Sequence, residues 1–439
     1  MCKLSVLLPH SALLALLFCW GCVNGPGGAN TAAHETIPAK HLSITDSGAI
    51  GDDKTLNTAC IQAAIDQLAN KGGGTLEIPP GIFLTGAIFL KPGVNLQLDA
   101  GAVLKGSTNL LDYPRTMTRV EGHFEDWLPA LINADHVDHL RITGSGTLDG
   151  NGAPFWQEFQ TRFKANPKTT NLDVLRPRLA FIQNSADVVV SGIIFTNAAF
   201  WNLHFYRCDN IVVENARFEV PQGVKCPSTD GTDVDSCQHV IIRGCTYCVN
   251  DDCIALKGSK GPFALDDTNS PPVSDVRVSN CTFERGNGVV TLGSEAAVVR
   301  DVSVTNCRVS GPINLVCLKL RPDTPQIYED IHYQDISLQS TGGMILQIRP
   351  WKQYFDLKGQ PPPKSEVRNV TLSGITGSYG SFGIVEGNSN QTQIAGITLQ
   401  NINVQLRNER LKIADASALE MSNVSVNGKP YLPQNSSPN

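Results

Sequence analysis

A short sequence motif repeats along most of the chain. This repeat restricts the fold more than any other feature. Each copy has a polar residue, a short β-branched run, a polar or glycine turn and a second short apolar run. Clear copies begin at Asp187, Asn210, His239, Asp275 and Asp301, at intervals of 23, 29, 36 and 26 residues. Two short strands per repeat, a period of about 20 to 40 residues and no intervening helix are typical of a solenoid whose coils stack strand on strand. Weaker copies extend the pattern nearly to the end of the chain, at Asp330, Asn369, Gly396 and Ala418.

The repeats predict an all-β fold, one continuous parallel β-helix. A β-propeller would need four strands in each repeat of about 40 to 45 residues, and leucine-rich repeats would need their Leu/Asn consensus. Before the repeats, apolar residues follow helical spacing at Ile61, Ala64, Ile65 and Leu68. They predict one amphipathic helix, which we expect to cover the open end of the first coil.

The two ends of the chain differ in composition from the repeats. Residues 1–22 are interpreted as a signal peptide, because their apolar run is too short for a membrane span of about 20 residues. The Gly21-Cys22 pair favours a lipoprotein signal with a lipid anchor on Cys22. Residues 23–40 would then be a linker, 41–430 the catalytic β-helix domain and 431–439 a tail. We expect an exported protein, either a periplasmic or outer-membrane-anchored lipoprotein or a secreted protein, and a monomer.

The segment 150–178, which contains Trp156 and Phe163, breaks the repeat period. We interpret it as a long loop at the rim of a groove.

The charge balance excludes one class of partner. The chain carries 35 Lys and Arg against 41 Asp and Glu, a net charge of −6, and has no basic tract. Nucleic acid is therefore not an expected partner. An acidic protein that binds a polyanion would need a few cations gathered in one cleft.

Cysteines recur at one place in the repeated motif, at Cys245, Cys281 and Cys307. This recurrence favours small buried residues stacked one above another, although an exported protein can also form disulfides. Cys245 and Cys248 form a CxxC pair, but no second CxxC or paired histidine follows, so a zinc site is not expected.

Acidic residues are concentrated in two segments separated by about one coil. Asp230 precedes Asp251 by 21 residues and Asp252 by 22. Adjacent coils are about 4.8 Å apart, so we expect the three carboxylates to share one surface. Carboxylates forced together raise the proton affinity of at least one of them, which gives a protonated acid beside an ionised base.

An acid beside a base is what glycosidic bond hydrolysis requires. In an inverting enzyme one carboxylic acid protonates the leaving oxygen and another carboxylate activates water, with about 6.5 to 9.5 Å between them. A diagonal offset between neighbouring coils would supply this separation. A calcium cluster is an alternative use of the three carboxylates. The acids that open the repeats are interpreted instead as solvated turn residues, namely Asp187, Asp275, Asp301 and Asp330.

Several segments together resemble glycoside hydrolase family 28, the family of polygalacturonases and rhamnogalacturonases, on a right-handed single-stranded β-helix of the pectin lyase type. Segments at Asp46, Gly72 and Leu98 are similar to the opening of pectin-active β-helix enzymes. More specific are Ser228-Thr-Asp230, Asp251-Asp252 and, farther along, Lys319. The resemblance implies that Asp251 is the proton donor and that Asp230 and Asp252 position and deprotonate the hydrolytic water, with no cofactor and no metal.

The sequence departs from the family pattern at three places. Ser228 stands where the family usually has Asn, Asn287 replaces the histidine of Gly-His-Gly, and Cys317 replaces the arginine of Arg-Ile-Lys. The catalytic acids are kept, so the departures affect substrate specificity. The loss of the motif arginine at Cys317 is as consistent with a rhamnogalacturonan or branched pectin as substrate as it is with polygalacturonate.

Four residues are predicted to bind substrate: Lys319, Asn287, Arg321 and His204. A galacturonate carboxylate needs a charge-assisted partner, which Lys319 and Arg321 could provide. Asn287 could hydrogen-bond sugar hydroxyls, and His204 could tune the carboxylates, although a structural histidine is equally consistent.

The sequence therefore predicts an inverting hydrolase of the galacturonic-acid-containing pectin backbone, with pectic polysaccharide or oligogalacturonide as its substrate. A polysaccharide lyase on the same fold and a non-catalytic polysaccharide-binding protein remain as alternatives.

Overall fold

The computed structural model describes residues 40–414 and 416–432 of the chain. The predicted signal peptide, the anchor residue Cys22 and the linker up to residue 39 lie outside this range, as do residues 433–439 of the predicted tail. Neither α-helix of the described part is long and apolar enough to cross a membrane.

Strands in chain order run from His41 to Pro430 and are numbered as follows: β1 His41–Ser43, β2 Asp52–Leu56, β3 Gly74–Ile78, β4 Gly81–Thr85, β5 Ile88–Leu90, β6 Val94–Leu98, β7 Ala102–Gly106, β8 Thr116–Val120, β9 His123–Trp127, β10 Ile132–Asp135, β11 Arg141–Gly144, β12 Thr147–Asp149, β13 Ala180–Gln183, β14 Ala186–Ser191, β15 Ile194–Thr196, β16 Leu203–Tyr206, β17 Asp209–Glu214, β18 Arg217–Glu219, β19 Thr232–Asp235, β20 Gln238–Arg243, β21 Thr246–Cys248, β22 Ile254–Lys257, β23 Val273–Ser279, β24 Thr282–Arg285, β25 Gly288–Leu292, β26 Val298–Thr305, β27 Arg308–Val309, β28 Asn314–Leu320, β29 Ile327–Gln339, β30 Met344–Pro350, β31 Ser365–Glu386, β32 Thr392–Ala414, β33 Ala416–Val426 and β34 Lys429–Pro430. The helices are α1 Thr58–Asn70 and α2 Ala153–Ala165, with 3-10 turns at Ile44–Ser47, Leu110–Asp112, Asn171–Asp173 and Ala264–Asp266.

The strands stack in parallel into the coils of a β-helix, as the repeats predict. Each strand pairs with its counterpart one coil later, for example β14 with β17, β17 with β20 and β20 with β23. The column that carries the site runs β16, β19, β22, β25, β28 and β30. Only β8 with β9 and β33 with β34 pair antiparallel in the described chain.

The first residue of each repeat turns the chain, which confirms the predicted turn role of the repeat acids. The backbone φ is positive at each of them, between 52° and 57°, at Asp187, Asn210, His239, Asp275, Asp301, Asp330 and Asn369. Asp and Asn tolerate this left-handed conformation better than β-branched residues do. Their side chains also bond along the stack, since the Asn369 amide donates to Asp330 Oδ1 at 2.9 Å.

Inside the coils, like side chains stack on like. Aromatic rings form a ladder in which Phe218 lies 4.8 Å from both Phe195 and Tyr247 between ring centroids. Cys245, Cys281 and Cys307 are buried as predicted, and every cysteine of the described chain is a free thiol. These ladders form the core, which α1 closes at one end with Ile61, Ala64, Ile65 and Leu68 buried, as predicted.

The interpretation of 150–178 as a loop is wrong in part, because α2 occupies Ala153–Ala165 and a 3-10 turn follows at Asn171–Asp173. Pro154 stands in the first turn of α2, where it leaves no hydrogen bond unmade. The apolar residues of α2 are spaced with helical period at Phe155, Trp156, Phe159 and Phe163, a signal that was present in the sequence.

Candidate active site

A cavity of about 410 Å³ lies on the outer surface of the column from β19 to β28. Its floor carries Asp230, Asp251 and Asp252, and its wall includes Phe159 and Phe163 of α2. The segment 150–178 therefore does border the groove, as predicted, although as a helix.

The three aspartates lie on adjacent coils, as their intervals predict. Asp230 comes just before β19, and Asp251 and Asp252 come just before β22. The backbone N–H of Gly231 donates to the carbonyl of Asp252 at 2.9 Å, which places the two segments side by side. One carboxylate oxygen from each aspartate lies within 4.8 Å of the others. This distance is shorter than the separation expected from an offset between coils.

Asp252 is the most firmly held of the three carboxylates. Its Oδ1 accepts hydrogen bonds from Asn287 Nδ2 at 2.9 Å and Thr291 Oγ1 at 2.8 Å, and its Oδ2 lies 2.7 Å from Lys319 Nζ. Asp252 is only 1% exposed. Three donors, one of them an ammonium group, fix the position of this side chain.

Lys319 and Asn287, both predicted to bind substrate, line the cavity, and both already bind Asp252. Burial opposes the charge of Lys319, yet Asp252, Cys317 and Asp251 together outweigh burial and raise the pKa of the ammonium group.

Asp230 lies beside a second buried ammonium group. Lys257 Nζ is 3.3 Å from Asp230 Oδ2, 3.4 Å from Asp233 Oδ1 and 3.7 Å from Glu295 Oε2. The same ammonium sits over the ring of Trp201, 4.5 Å from its centroid. Burial raises the pKa of Asp230 well above its usual range, and Lys257 acts against that shift.

Asp251 differs from its neighbours because it has no ammonium partner among the described residues. It is half-buried, and its Oδ1 accepts the backbone N–H of Asp252 at 3.0 Å. Burial raises the pKa of Asp251 to about 8, and the negative charges of Asp230 and Asp252 add to the shift. A carboxyl group that keeps its proton at neutral pH can act as a general acid.

The three aspartates are also the group of the described chain that could gather around a metal ion. Lys257 and Lys319 already bring two ammonium groups to Asp230 and Asp252. A hard cation such as Ca²⁺ would have to share those oxygens with the lysines. The donor set therefore suits ammonium partners better than calcium.

His204 lies behind the site and not in the cavity. It is fully buried, and its Nδ1 is 2.8 Å from Arg178 Nη1. Its ring packs against Phe181 and Trp201, with ring centroids 4.8 Å and 5.0 Å away. Burial lowers the pKa of His204 to about 3, so the ring is neutral. The geometry does not support the predicted contact with substrate, because no atom of His204 reaches the open groove.

Arg321 is likewise turned away from the cavity. Its guanidinium pairs with Asp323 through two hydrogen bonds of 2.8 Å and donates to the carbonyls of Gln353 and Tyr354. Since Tyr354 and Trp351 line the cavity, Arg321 orders the loop that forms this wall. The predicted substrate contact is not supported, because the charge of Arg321 is neutralised by Asp323.

The sequence pattern did not single out Lys257 or the acids Asp233 and Glu295 around it. Asp233 and Glu295 are buried, and burial raises the pKa of Asp233 to about 7. A signal was present, since Asp233 and Asp235 alternate with the core residue Val234 in β19. Their outward direction follows from that alternation.

The comparisons with known proteins agree with this geometry. The sequence profile described as glycosyl hydrolases family 28 matches residues 74–426. The chain belongs to this family. Its activity is therefore that of a glycoside hydrolase, as the carboxylate cluster suggests.

Family 28 relatives match over nearly the whole chain. The chain is 25% identical to a probable polygalacturonase of Vitis vinifera over 88% of this chain and 74% of the relative. It is also 25% identical to an exopolygalacturonase of Zea mays, over 90% and 91% of the two chains. Among solved structures, a hyperthermoactive exopolygalacturonase from Thermotoga maritima superposes with a TM-score of 0.68 at 22% identity, covering 86% of this chain and 92% of that one. That similarity shows the right-handed β-helix fold.

Proposed function

We propose that this family 28 chain is an inverting hydrolase of the galacturonic-acid-containing pectin backbone. The observation that carries the proposal is the cluster of Asp230, Asp251 and Asp252 on the floor of one cavity. Relatives named polygalacturonase and exopolygalacturonase support the substrate class.

In the proposed reaction Asp251 donates its proton to the leaving glycosidic oxygen. Its raised pKa of about 8 keeps that proton available at neutral pH. Asp230 and Asp252 together position the hydrolytic water and accept its proton. Before that proton transfer, the negative charges of the two carboxylates are balanced by Lys257 and Lys319, which lie 3.3 Å and 2.7 Å away.

The three carboxylates lie close enough together that a mechanism with retention of the anomeric configuration must be considered. Separations near 5 Å usually accompany a covalent glycosyl intermediate, and larger separations accompany direct attack by water. A nucleophilic carboxylate must reach the anomeric carbon itself. Asp230 and Asp252 are 3% and 1% exposed and are held by lysines, so a water molecule is better placed than either oxygen to make that contact.

A lyase would need a neutral Lys or an Arg to abstract a proton beside the uronate carboxyl group. Both lysines of the cavity have carboxylate partners that raise the pKa of their ammonium groups, which keeps them charged. This argues against the lyase alternative.

The test is to measure turnover of polygalacturonate. Turnover is monitored by the release of reducing ends, and the configuration of the first products is read from their anomeric proton signals by NMR. We expect new reducing ends, no near-ultraviolet absorbance from unsaturated uronides, and products of inverted configuration. Asp251→Asn should reduce kcat by about 10³-fold or more, since proton transfer and charge balance both depend on it. Products of retained configuration would overturn inversion, and full turnover by Asp251→Asn would overturn the assignment of the acid.

Export and lipid attachment at Cys22 are also proposed, on the sequence alone. The mass of the mature protein from cells expressing the full chain tests both, with Cys22→Ser as the control. We expect a lipid-modified Cys22 in the parent chain and none in the variant. Size-exclusion chromatography tests the expected monomer.

A further inference from the structure

Arg349 lies on β30, which is one coil beyond β28, the strand that carries Lys319. In the pairing of β28 with β30, Lys319 stands opposite Arg349 and Cys317 opposite Gln347. Gln347 Nε2 contacts Cys317 Sγ at 3.2 Å. Paired residues of the two strands therefore point to the same side of the sheet here. Neighbouring strands are about 4.8 Å apart. Arg349 therefore extends the row of outward side chains that begins with Lys319.

The guanidinium of Arg349 has no acceptor among the described residues. Arg349 is half-buried, and its Nε is enclosed without a hydrogen-bond partner. Its guanidinium lies over the ring of Trp351, whose centroid is 5.9 Å from Cζ. Every other buried or half-buried arginine of the described chain donates hydrogen bonds, namely Arg119, Arg141, Arg176, Arg178, Arg217, Arg277, Arg285 and Arg321.

The Nε atoms of Arg176 and Arg178 are also enclosed without an acceptor, but both side chains donate through Nη1, whereas Arg349 donates to the described residues through none of its nitrogens. A half-buried guanidinium with no acceptor at all is unusual in a folded protein, because burial removes water and nothing replaces the lost hydrogen bonds. Arg349 lies beside the cavity and not in its lining, next to Trp351, and its missing acceptor is explained if a ligand supplies one. Trp351 connects Arg349 to the active site, since it lines the cavity and its ring also lies 4.7 Å from Lys319 Nζ.

Both lysines that line the cavity already pair with carboxylates of the protein. Lys319 binds Asp252, and Lys257 lies among Asp230, Asp233 and Glu295. A uronate ligand brings a carboxylate that needs a cation of its own. A guanidinium meets a carboxylate through two parallel hydrogen bonds, which an ammonium group cannot do.

We propose that Arg349 binds the carboxylate of a uronate unit of the substrate, in the part of the groove next to Lys319 and Trp351. This inference rests on the proposed function, since it assumes a uronate-containing substrate. It makes Arg349 a specificity-determining residue that distinguishes a free uronate from its neutral ester.

The test compares binding of an oligogalacturonide with binding of its methyl ester by titration calorimetry. Asp251→Asn serves as the background, so that the ligand is not consumed. In this background we expect the free acid to bind more tightly than the ester. Arg349→Gln should weaken binding of the acid by about tenfold, the range of a charge-assisted hydrogen bond. Binding of the ester should change far less, and Arg349→Lys should restore part of the preference.

Arg300 provides the matched control, because it is an exposed arginine on β26 outside the cavity. Arg300→Gln should leave the preference for the free acid as it is in the background chain.

Two results would overturn the inference. If Arg349→Gln keeps the preference for the free acid, Arg349 does not bind the carboxylate. If it weakens binding of acid and ester equally, Arg349 only supports Trp351. Turnover of polygalacturonate by the unmodified chain reports on the proposed function separately, so hydrolysis with an unchanged preference in Arg349→Gln would refute this inference alone.

Discussion

The pair of Lys319 and Asp252 makes the sharpest prediction about how the site works. At 2.7 Å, with an effective dielectric constant of about 20, the attraction between the two charges is about 6 kcal/mol. Burial of both side chains offsets most of this gain. Removing one partner is a different matter, because the other charge then stays buried without compensation. We therefore expect Lys319→Met to lower the free energy of unfolding by about 3 to 5 kcal/mol.

The same substitution distinguishes two roles of Lys319 in turnover. A residue that only binds substrate would raise KM and leave kcat unchanged. A lysine that holds Asp252 as a carboxylate would lower kcat, because Asp252 would lose the charge that keeps it available to accept a proton. We expect kcat to fall by about 10² or more, which corresponds to about 2.7 kcal/mol in the activation free energy.

The assay is a double-mutant cycle read by urea unfolding and by kcat. Asp252→Asn removes the charge that Lys319→Met leaves unpaired, so the double variant should be more stable than Lys319→Met alone, with a coupling energy of at least about 2 kcal/mol. It should stay inactive. Lys319→Arg keeps the positive charge and serves as the control. A Lys319→Met chain that unfolds within about 1 kcal/mol of the parent, or a pair of additive effects, would refute the reasoning.

Three further predictions concern Asp251, His204 and the core residue Cys281. Asp251 must be protonated to act as the acid, so kcat should fall as the pH rises through about 8, measured as a pH profile on polygalacturonate. His204 has a pKa of about 3 in the folded chain, below the value of about 6.5 expected when unfolded, so its contribution to stability should be complete above pH 6.5 and decline toward pH 3. Urea unfolding across that range should show a weaker acid dependence in His204→Gln. Cys281→Ser places a hydroxyl group in the apolar core and should lower the free energy of unfolding by about 1 to 3 kcal/mol, whereas Cys281→Ala should cost less.

Each of these predictions has a contradicting outcome. Constant kcat from pH 7 to 10 would exclude Asp251 as the acid. An unchanged acid dependence in His204→Gln would show that the histidine is not the group that titrates. Equal stability of the Ser and Ala variants at Cys281 would contradict an apolar environment for the thiol.

The local order of the chain could be predicted well from the sequence. The spacing of the repeats predicts the coils, and the interval of 22 residues from Asp230 to Asp252 predicts their position on adjacent coils. The turn role of Asp187 and its counterparts and the helix around Ile65 were also readable. These features depend on residues close in sequence or separated by one regular repeat, so periodicity is enough to find them.

The environment of each side chain required the tertiary structure. Lys257 reaches Asp230, Asp233 and Glu295 only through the register of β19 and β22 and the path of the loop at residue 295. The predicted substrate contacts of Arg321 and His204 were not supported. Arg321 pairs with Asp323 and His204 with Arg178, and the sequence does not reveal either pairing.

What the sequence determined by itself is therefore the β-helix, the place of the three acids along it and the reaction class they suit. Only the packed coils decided which lysine neutralises which carboxylate, and that Asp251 has no ammonium partner among the described residues. The physical reason is that strand patterns are set by neighbours along the chain. Burial and charge pairing are set instead by neighbours across coils, whose loops of unequal length no repeat period specifies.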